Sequence, residues 1–150
     1  MKEIDEYKTM PIYNEQQELH PLAQFRDIQE YANSANVRLT GYGTGILSSN
    51  EVAKSIAARL GRSPGQVLLR WAVQKGIAVT PASRKVERLK ENLEVLNFKL
   101  EDEDLYIAAA GLADVVAGCI SMGLCFGTNR AQNDLVVVEI NFPERAGRNL

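Results

Sequence analysis

The densest group of side chains able to grip a ligand lies between Pro81 and Asn92, where Ser83, Arg84, Arg88, Glu91 and Asn92 follow one another closely. Such a segment can hold a phosphate. A helix N-terminus offers free N–H groups and the positive end of its dipole. Ser83 adds a hydroxyl donor and Arg88 a bidentate fork, with Arg84 or Lys85 as a further cation. The same residues also read as a capped surface helix with ordinary charges. Two other candidates stand alone. Gln16 carries an amide, which donates and accepts together. Tyr42 offers an aromatic face, which makes contact without needing a charge. Taken bare, they read as a solvated strand-end glutamine and a core or rim tyrosine. Gly41-x-Gly43-x-Gly45 invites a dinucleotide reading, but the Rossmann fingerprint asks for glycine where Ile46 stands. Those glycines read better as a tight turn at a strand end.

Other chemistry is excluded by scarcity. His20 is the one histidine, so a multi-histidine metal site is ruled out. Cys119 and Cys125 are too few for a disulfide framework or a four-thiolate zinc site, and they suit a reducing, cytoplasmic compartment. Glu101-Asp-Glu-Asp104 reads as the solvated start of a helix rather than a metal site. No metal is expected. A net charge of −2 argues against a dedicated nucleic-acid binder. From Leu105 to Gly127 the only charge is Asp114, yet the stretch is rich in Ala and Gly and broken near Gly111, so it reads against a membrane span. Met1 to Met10 is charged and is no secretory signal.

The elements that must position these residues alternate. A chain of 150 residues, 45% hydrophobic and 24% charged, makes one domain with a real core. A short strand is predicted within 10–19 and an amphipathic helix over 22–34, from Leu22, Phe25, Ile28 and Tyr31. Val37 to Tyr42 alternates as a second strand. A helix from Asn50 to Leu60 has Asn50 as N-cap and Gly61 just past its end. Ser63-Pro64 opens another, with Val67, Leu68, Trp71 and Ala72 on its core face and a stop at Gly76. Ile77 to Thr80 is a short apolar strand. Ser83 is expected to cap a helix running to Leu93, and a last helix is expected near 101–110. The order β-α-β-α-α-β-α-α means parallel βαβ units covered by helices. Beyond Ala113 the pattern stops, apart from a strand over Leu135 to Ile140 and a polar tail from Pro143.

Four segments in order carry a resemblance. Gln16-Gln-Glu-Leu-His-Pro21, Ser63-Pro-Gly-Gln-Val-Leu-Leu-Arg-Trp71, Pro81-Ala-Ser-Arg-Lys-Val-Glu-Arg-Leu-Lys-Glu-Asn92 and Asn97-Phe-Lys-Leu-Glu-Asp-Glu-Asp104 together resemble the C-terminal half of an aldo-keto reductase. The resemblance covers about residues 10–112. It implies an α/β fold: a partial (β/α)8 TIM barrel over 1–112, equal to the last three βα units, followed by an atypical tail over 113–150. A whole barrel needs roughly 250 residues. It further implies an NADP-dependent oxidoreductase that reduces carbonyls to alcohols. Gln16 would then hydrogen-bond the nicotinamide carboxamide and Tyr42 would stack on the ring. Ser83, Arg88 and Asn92 would grip the adenosine 2′-phosphate and adenine, with Glu91 near adenine. Ala82 stands where the family has a lysine, which leaves the choice of NADPH over NADH open; Arg84 or Lys85 would replace that charge. The loop Gly43 to Asn50 is shorter than the family's pyrophosphate clamp.

The family's catalytic Asp, Tyr, Lys and His have no counterpart here, and His20 belongs to a His-Pro pair instead. The expectation is therefore a cofactor-side half, inactive alone and a truncated form of the family, which needs a complementary half barrel for hydride transfer. The alternative is a non-catalytic remnant that binds nucleotide or a partner. In it, open strand edges close by homodimerisation, or the Leu135–Ile140 strand covers one of them. An unrelated small α/β enzyme would need a nucleophile-base pair that the sequence does not offer.

Overall fold

The computed structural model describes residues 2–105 and 136–137. The apolar stretch beyond Leu105, both cysteines and the polar tail lie outside the described residues, as does most of the helix expected over 101–110. A short helix, α1 (Lys2–Tyr7), opens the described chain where no element was expected. Glu3 and Asp5 in its first turn complement the helix dipole. Asp5 also accepts from the Tyr31 hydroxyl and pairs with Lys8, which ties the helix to the body.

Strands β1 (Asn14–Glu18), β2 (Arg38–Tyr42) and β3 (Ala78–Val79) form a parallel sheet in chain order. The register sets Gln16 beside Thr40, and Thr40 beside Ala78. Strand alternation then produces two unlike faces. Leu19, Leu39, Ile77 and Val79 look into the helical layer and are buried with Ile56, Ala57, Val67 and Trp71. The other face carries Asn14, Gln16, Glu18, Thr40 and Tyr42. Thr40 Oγ1 donates to Asn14 Oδ1 across it at 2.8 Å.

Helix α2 (Arg26–Ser34) joins β1 to β2 and begins four residues later than the 22–34 pattern predicts. His20 and Ala23 exchange backbone hydrogen bonds of 3.4 and 2.9 Å around Pro21, so this stretch is a turn. Phe25, expected on the apolar face, precedes the helix at φ 42 and is half-exposed. The left-handed backbone there takes its side chain off the helical stripe.

Helices α3 (Glu51–Leu60) and α4 (Pro64–Gln74) begin where their caps predict. Asn50 Oδ1 accepts from the Val52 N–H at 2.8 Å, and Gly61 ends α3 at φ 62. Ser63 and Gln66 form a reciprocal capping box ahead of Pro64. Helix α4 is buried on most sides rather than one, because α3, β3 and the turn after the next helix all pack on it. Trp71 is fully buried. A side chain of that size removes roughly 200 Å2 from water, of the order of 5 kcal/mol before chain entropy.

After β3 comes a two-residue strand, β4 (Ala82–Ser83), and then helix α5 (Val86–Leu93). Ser83 is not the N-cap of α5. Lys85 holds that position, and Ser83 Oγ accepts from the Lys85 N–H at 3.0 Å, closing a turn just upstream. Strand β4 pairs antiparallel with β5 (Val136–Val137), Ser83 lying beside Val136. A 3-10 turn, Glu94–Asn97, follows α5. Asp104 also departs from expectation. It is buried, paired with Arg59, and accepts from the Glu101 N–H at 3.3 Å, because α3 approaches it from outside.

Candidate functional site

Parallel strands end with their carbonyl ends on one side, and the helices that follow start there. In this chain that side holds a cleft of about 760 Å3. Its walls are the turn after β2, the segment after β3, the first residues of α4 and one face of α5. Ser83, Arg88, Glu91 and Asn92 all line it. The sequence-predicted phosphate group is thus assembled on one wall. Arg84 is exposed and does not line the cleft, nor do Gln16 and Tyr42. Gln16 is exposed on the polar face of β1, while Tyr42, half-exposed, sits beside Glu18 in the register. The flanking residues Gly41 and Gly43 do reach the cleft.

The individual geometries suit an anionic ligand. Ser83 is buried, and its oxygen already accepts from Lys85 N–H, which leaves the hydroxyl proton to donate. Arg88 is exposed, so its guanidinium is solvated and turns at little cost. Glu91 and Asn92 are half-buried in the last turns of α5.

The loop after β2 is wound tightly. Ile46 N–H donates to Gly43 O at 2.9 Å, Ser48 N–H to Gly45 O at 3.1 Å and Asn50 N–H to Leu47 O at 3.0 Å. The glycines have separate reasons. Gly43 turns the chain at φ +67. At Gly41 a Cβ would stand 3.0 Å from Leu19 Cβ and 3.3 Å from Ile77 Cγ2, so close packing demands the glycine.

One residue escaped the sequence reading as a site component. Gln66 is buried behind the cleft, its Oε1 accepting from Ser63 N–H at 3.0 Å and its Nε2 donating to Glu91 O at 2.9 Å. The Ser63-x-x-Gln66 spacing was a readable capping signal, but nothing local announced the bond to Glu91.

His20 is accounted for by structure. Its Nδ1 accepts from Leu22 N–H at 3.2 Å, so Nε2 carries the proton and faces Glu18 Oε1 at 3.2 Å. Burial pushes the imidazole pKa below its usual value, with the Glu18 hydrogen bond opposing. Among the described residues no group of His, Cys, Asp and Glu could hold a metal ion, and no helix is long and apolar enough to cross a membrane.

The family model described as "Aldo/keto reductase family" matches residues 1–110. The chain belongs to the aldo/keto reductase family. Among its curated relatives is an NAD(P)H-dependent D-xylose reductase of Scheffersomyces stipitis, 40% identical over 106 residues, covering 59% of this chain and 33% of that protein. Another is a 9,11-endoperoxide prostaglandin H2 reductase of Trypanosoma cruzi, 38% identical over 105 residues, covering 65% and 36%. The chain thus spans about a third of the length of these curated relatives. Solved structures agree. The aldose reductase from Schistosoma japonicum superposes with TM-score 0.68 at 31% identity, over 73% of this chain and 37% of that one. A mutant of Gox0644 in complex with NADPH gives TM-score 0.67 at 33% identity, over 72% and 41%. In this aldo/keto reductase chain the cleft therefore lies at the end of a parallel sheet where such folds place their ligands.

Proposed function

We propose that this chain is the cofactor-side part of an NADP-dependent aldo-keto reductase, a partial (β/α)8 barrel equal to the last three βα units. On this reading residues 1–112 are that part and 113–150 an atypical tail, whose strand β5 pairs with β4. The carrying observation is the meeting of Ser83, Arg88, Glu91 and Asn92 in one cleft. The donor set fits a dinucleotide's phosphorylated adenosine end. Ser83 O–H and the Arg88 guanidinium take the 2′-phosphate at the start of α5. Asn92 and Glu91 face the adenine edge, where an amide and a carboxylate can both accept from an amino group. The volume is in the range of small-molecule sites. Gln16 and Tyr42, on the exposed polar face of the sheet, are open to a nicotinamide. NADPH, when bound, supplies the hydride that turns a carbonyl into an alcohol. Relatives named for NAD(P)H-dependent sugar reduction, and a neighbour complexed with NADPH, support the reading.

With no counterpart of the family's catalytic Asp, Tyr, Lys and His among its 150 residues, the chain supplies cofactor binding and no proton donor. Useful hydride transfer then needs the other five βα units from a complementary half barrel. The outer edge of β1 has no strand beside it among the described residues, which suits such a partner. A cytoplasmic setting belongs to the same proposal.

The test is calorimetric titration of the purified chain with NADPH and with NADH. Saturable micromolar binding of NADPH supports it, and no binding at millimolar cofactor refutes it. Reductase turnover by the pure chain would overturn the division of labour. A second reading, a non-catalytic nucleotide-binding or homodimeric interaction protein, is favoured by one observation: Gln16 and Tyr42 stand outside the cleft. It expects adenosine 2′,5′-bisphosphate to bind as tightly as NADPH, and a two-chain mass in sedimentation.

A further inference from the structure

The two helical walls of the cleft come from different βα units, and a ligand spanning them needs their spacing held. Arg88, Glu91 and Asn92 belong to α5, whereas Ser63, Pro64 and Gly65 open α4. Gln66 stands between. It is 4% exposed, does not line the cleft, and has every polar atom of its amide engaged. Its Oε1 accepts from the Ser63 N–H at 3.0 Å, and its own N–H donates to Ser63 Oγ at 3.3 Å. Its Nε2 donates to the Glu91 carbonyl at 2.9 Å, with Glu94 Oε2 at 3.5 Å. The capping box alone needs only the acceptor half of the amide. The donor half goes across to α5, at Glu91, which itself lines the cleft.

The geometry points to Gln66 as a positioning residue for cofactor binding: through one planar amide it fixes the ligand-facing turn of α5 against the start of α4. The role rests on the cofactor reading above. Only an amide fills it. A carboxylate would still accept from Ser63 N–H but would face the Glu91 carbonyl and the Glu94 carboxylate. An apolar side chain would take the acceptor away from the half-buried Ser63 N–H and the donor away from the Glu91 carbonyl. Arg88, with its guanidinium in solvent, depends on the backbone of α5 for its aim.

Gln74 supplies the control. It lies at the far end of the same helix, where Nε2 donates to Leu100 O at 2.9 Å and Oε1 accepts from Leu100 N–H at 2.6 Å. It too ties α4 to a later segment, but away from the cleft. The experiment uses the full chain with Gln66→Met, Gln66→Glu or Gln74→Met, titrated with adenosine 2′,5′-bisphosphate below each variant's unfolding range. Hydrogen exchange is followed at residues 86–92. The expected result is about tenfold weaker binding in both Gln66 variants, the scale of lost preorganisation from one or two neutral hydrogen bonds. Faster exchange in α5 accompanies it. Gln74→Met loses thermal stability yet binds like the parent. Parent-like binding by folded Gln66→Met overturns the positioning role and leaves the cofactor reading standing. An equal fall in Gln66→Met and Gln74→Met also overturns it. A parent chain that does not bind the bisphosphate overturns both.

Discussion

Replacing Arg88 with alanine separates phosphate recognition from everything else the cleft does. The guanidinium is exposed, so its bonds to a 2′-phosphate compete with water and salt. Hydrogen bonds to charged groups contribute about 1.5–3 kcal/mol, and exposure argues for the lower part, about 2 kcal/mol. At about 1.4 kcal/mol per factor of ten, Arg88→Ala weakens NADPH roughly thirtyfold. NADH has no 2′-phosphate, so its affinity changes by less than about threefold. The reciprocal change adds charge. Ala82 is exposed beside Ser83 on the same wall. Ala82→Lys therefore strengthens NADPH by about tenfold at low salt and leaves NADH alone. Calorimetry with both cofactors at about 0.01 M and about 1 M salt, where the Debye length falls from about 30 to about 3 Å, completes the set. A fall of equal size for both cofactors in Arg88→Ala would refute the reasoning, since it would mean that the side chain serves the fold of α5 and not a phosphate.

Three further outcomes follow from the fold. Gly41→Ala forces a Cβ to 3.0 Å from Leu19 Cβ, an atom bonded to the backbone that no rotamer change can move away, so overpacking costs about 1–3 kcal/mol and shows as a lower urea midpoint; an unchanged midpoint contradicts the packing account. Burial holds the folded-state pKa of His20 below the ordinary imidazole value of about 6.5, so well above that pH it is neutral in both states and contributes no pH dependence. As pH falls through 6.5 the unfolded chain takes up the proton first and stability drops, levelling only below the lowered folded pKa. Urea unfolding against pH should show this slope for the parent and a flatter one for His20→Asn. Asn50→Ala removes the acceptor for Val52 N–H and costs about 1 kcal/mol, while Asn50→Asp keeps the cap; thermal melts of the two that coincide would show that α3 does not depend on it.

What the sequence revealed divides along a physical line. Signals confined to one turn were legible. Asn50, Gly61 and Ser63-Pro64 sit where their local hydrogen bonding requires, and α3 and α4 have the expected bounds. So was the family, because four short segments in order constrain more than any one. Misreadings came where a distant partner decides, or where one local turn displaces the element expected there. Asp104 looked like one more acid in a solvated start until Arg59 was brought to it from α3. Phe25 fell at helical spacing, yet the turn at His20-Pro21 delays the helix and puts the residue before it. Ser83 has the chemistry of a cap and uses it two residues before the actual N-cap, Lys85. Among the site residues, Ser83, Arg88, Glu91 and Asn92 came together because they share one strand-helix step. Gln16 and Tyr42 lie on other strands, and only the sheet could say where they stand relative to that cleft. Gln66 showed half its role in the capping pattern and hid the other half in the bond to Glu91.

The sheet runs in chain order, β1-β2-β3, with each strand beside its immediate successor. The separation between paired residues, Gln16 with Thr40 and Thr40 with Ala78, is therefore that of one intervening crossover and never the whole chain. Loop-closure entropy grows only slowly with such lengths, yet each parallel pairing still waits for a whole crossover, which makes the sheet slower to assemble than a hairpin would be. A ribosome releasing the chain from its N-terminus exposes β1, then β2, then β3, so each new strand emerges next to an edge already waiting for it. The cleft closes only when α5 arrives against α4, after all three strands of the parallel sheet have emerged.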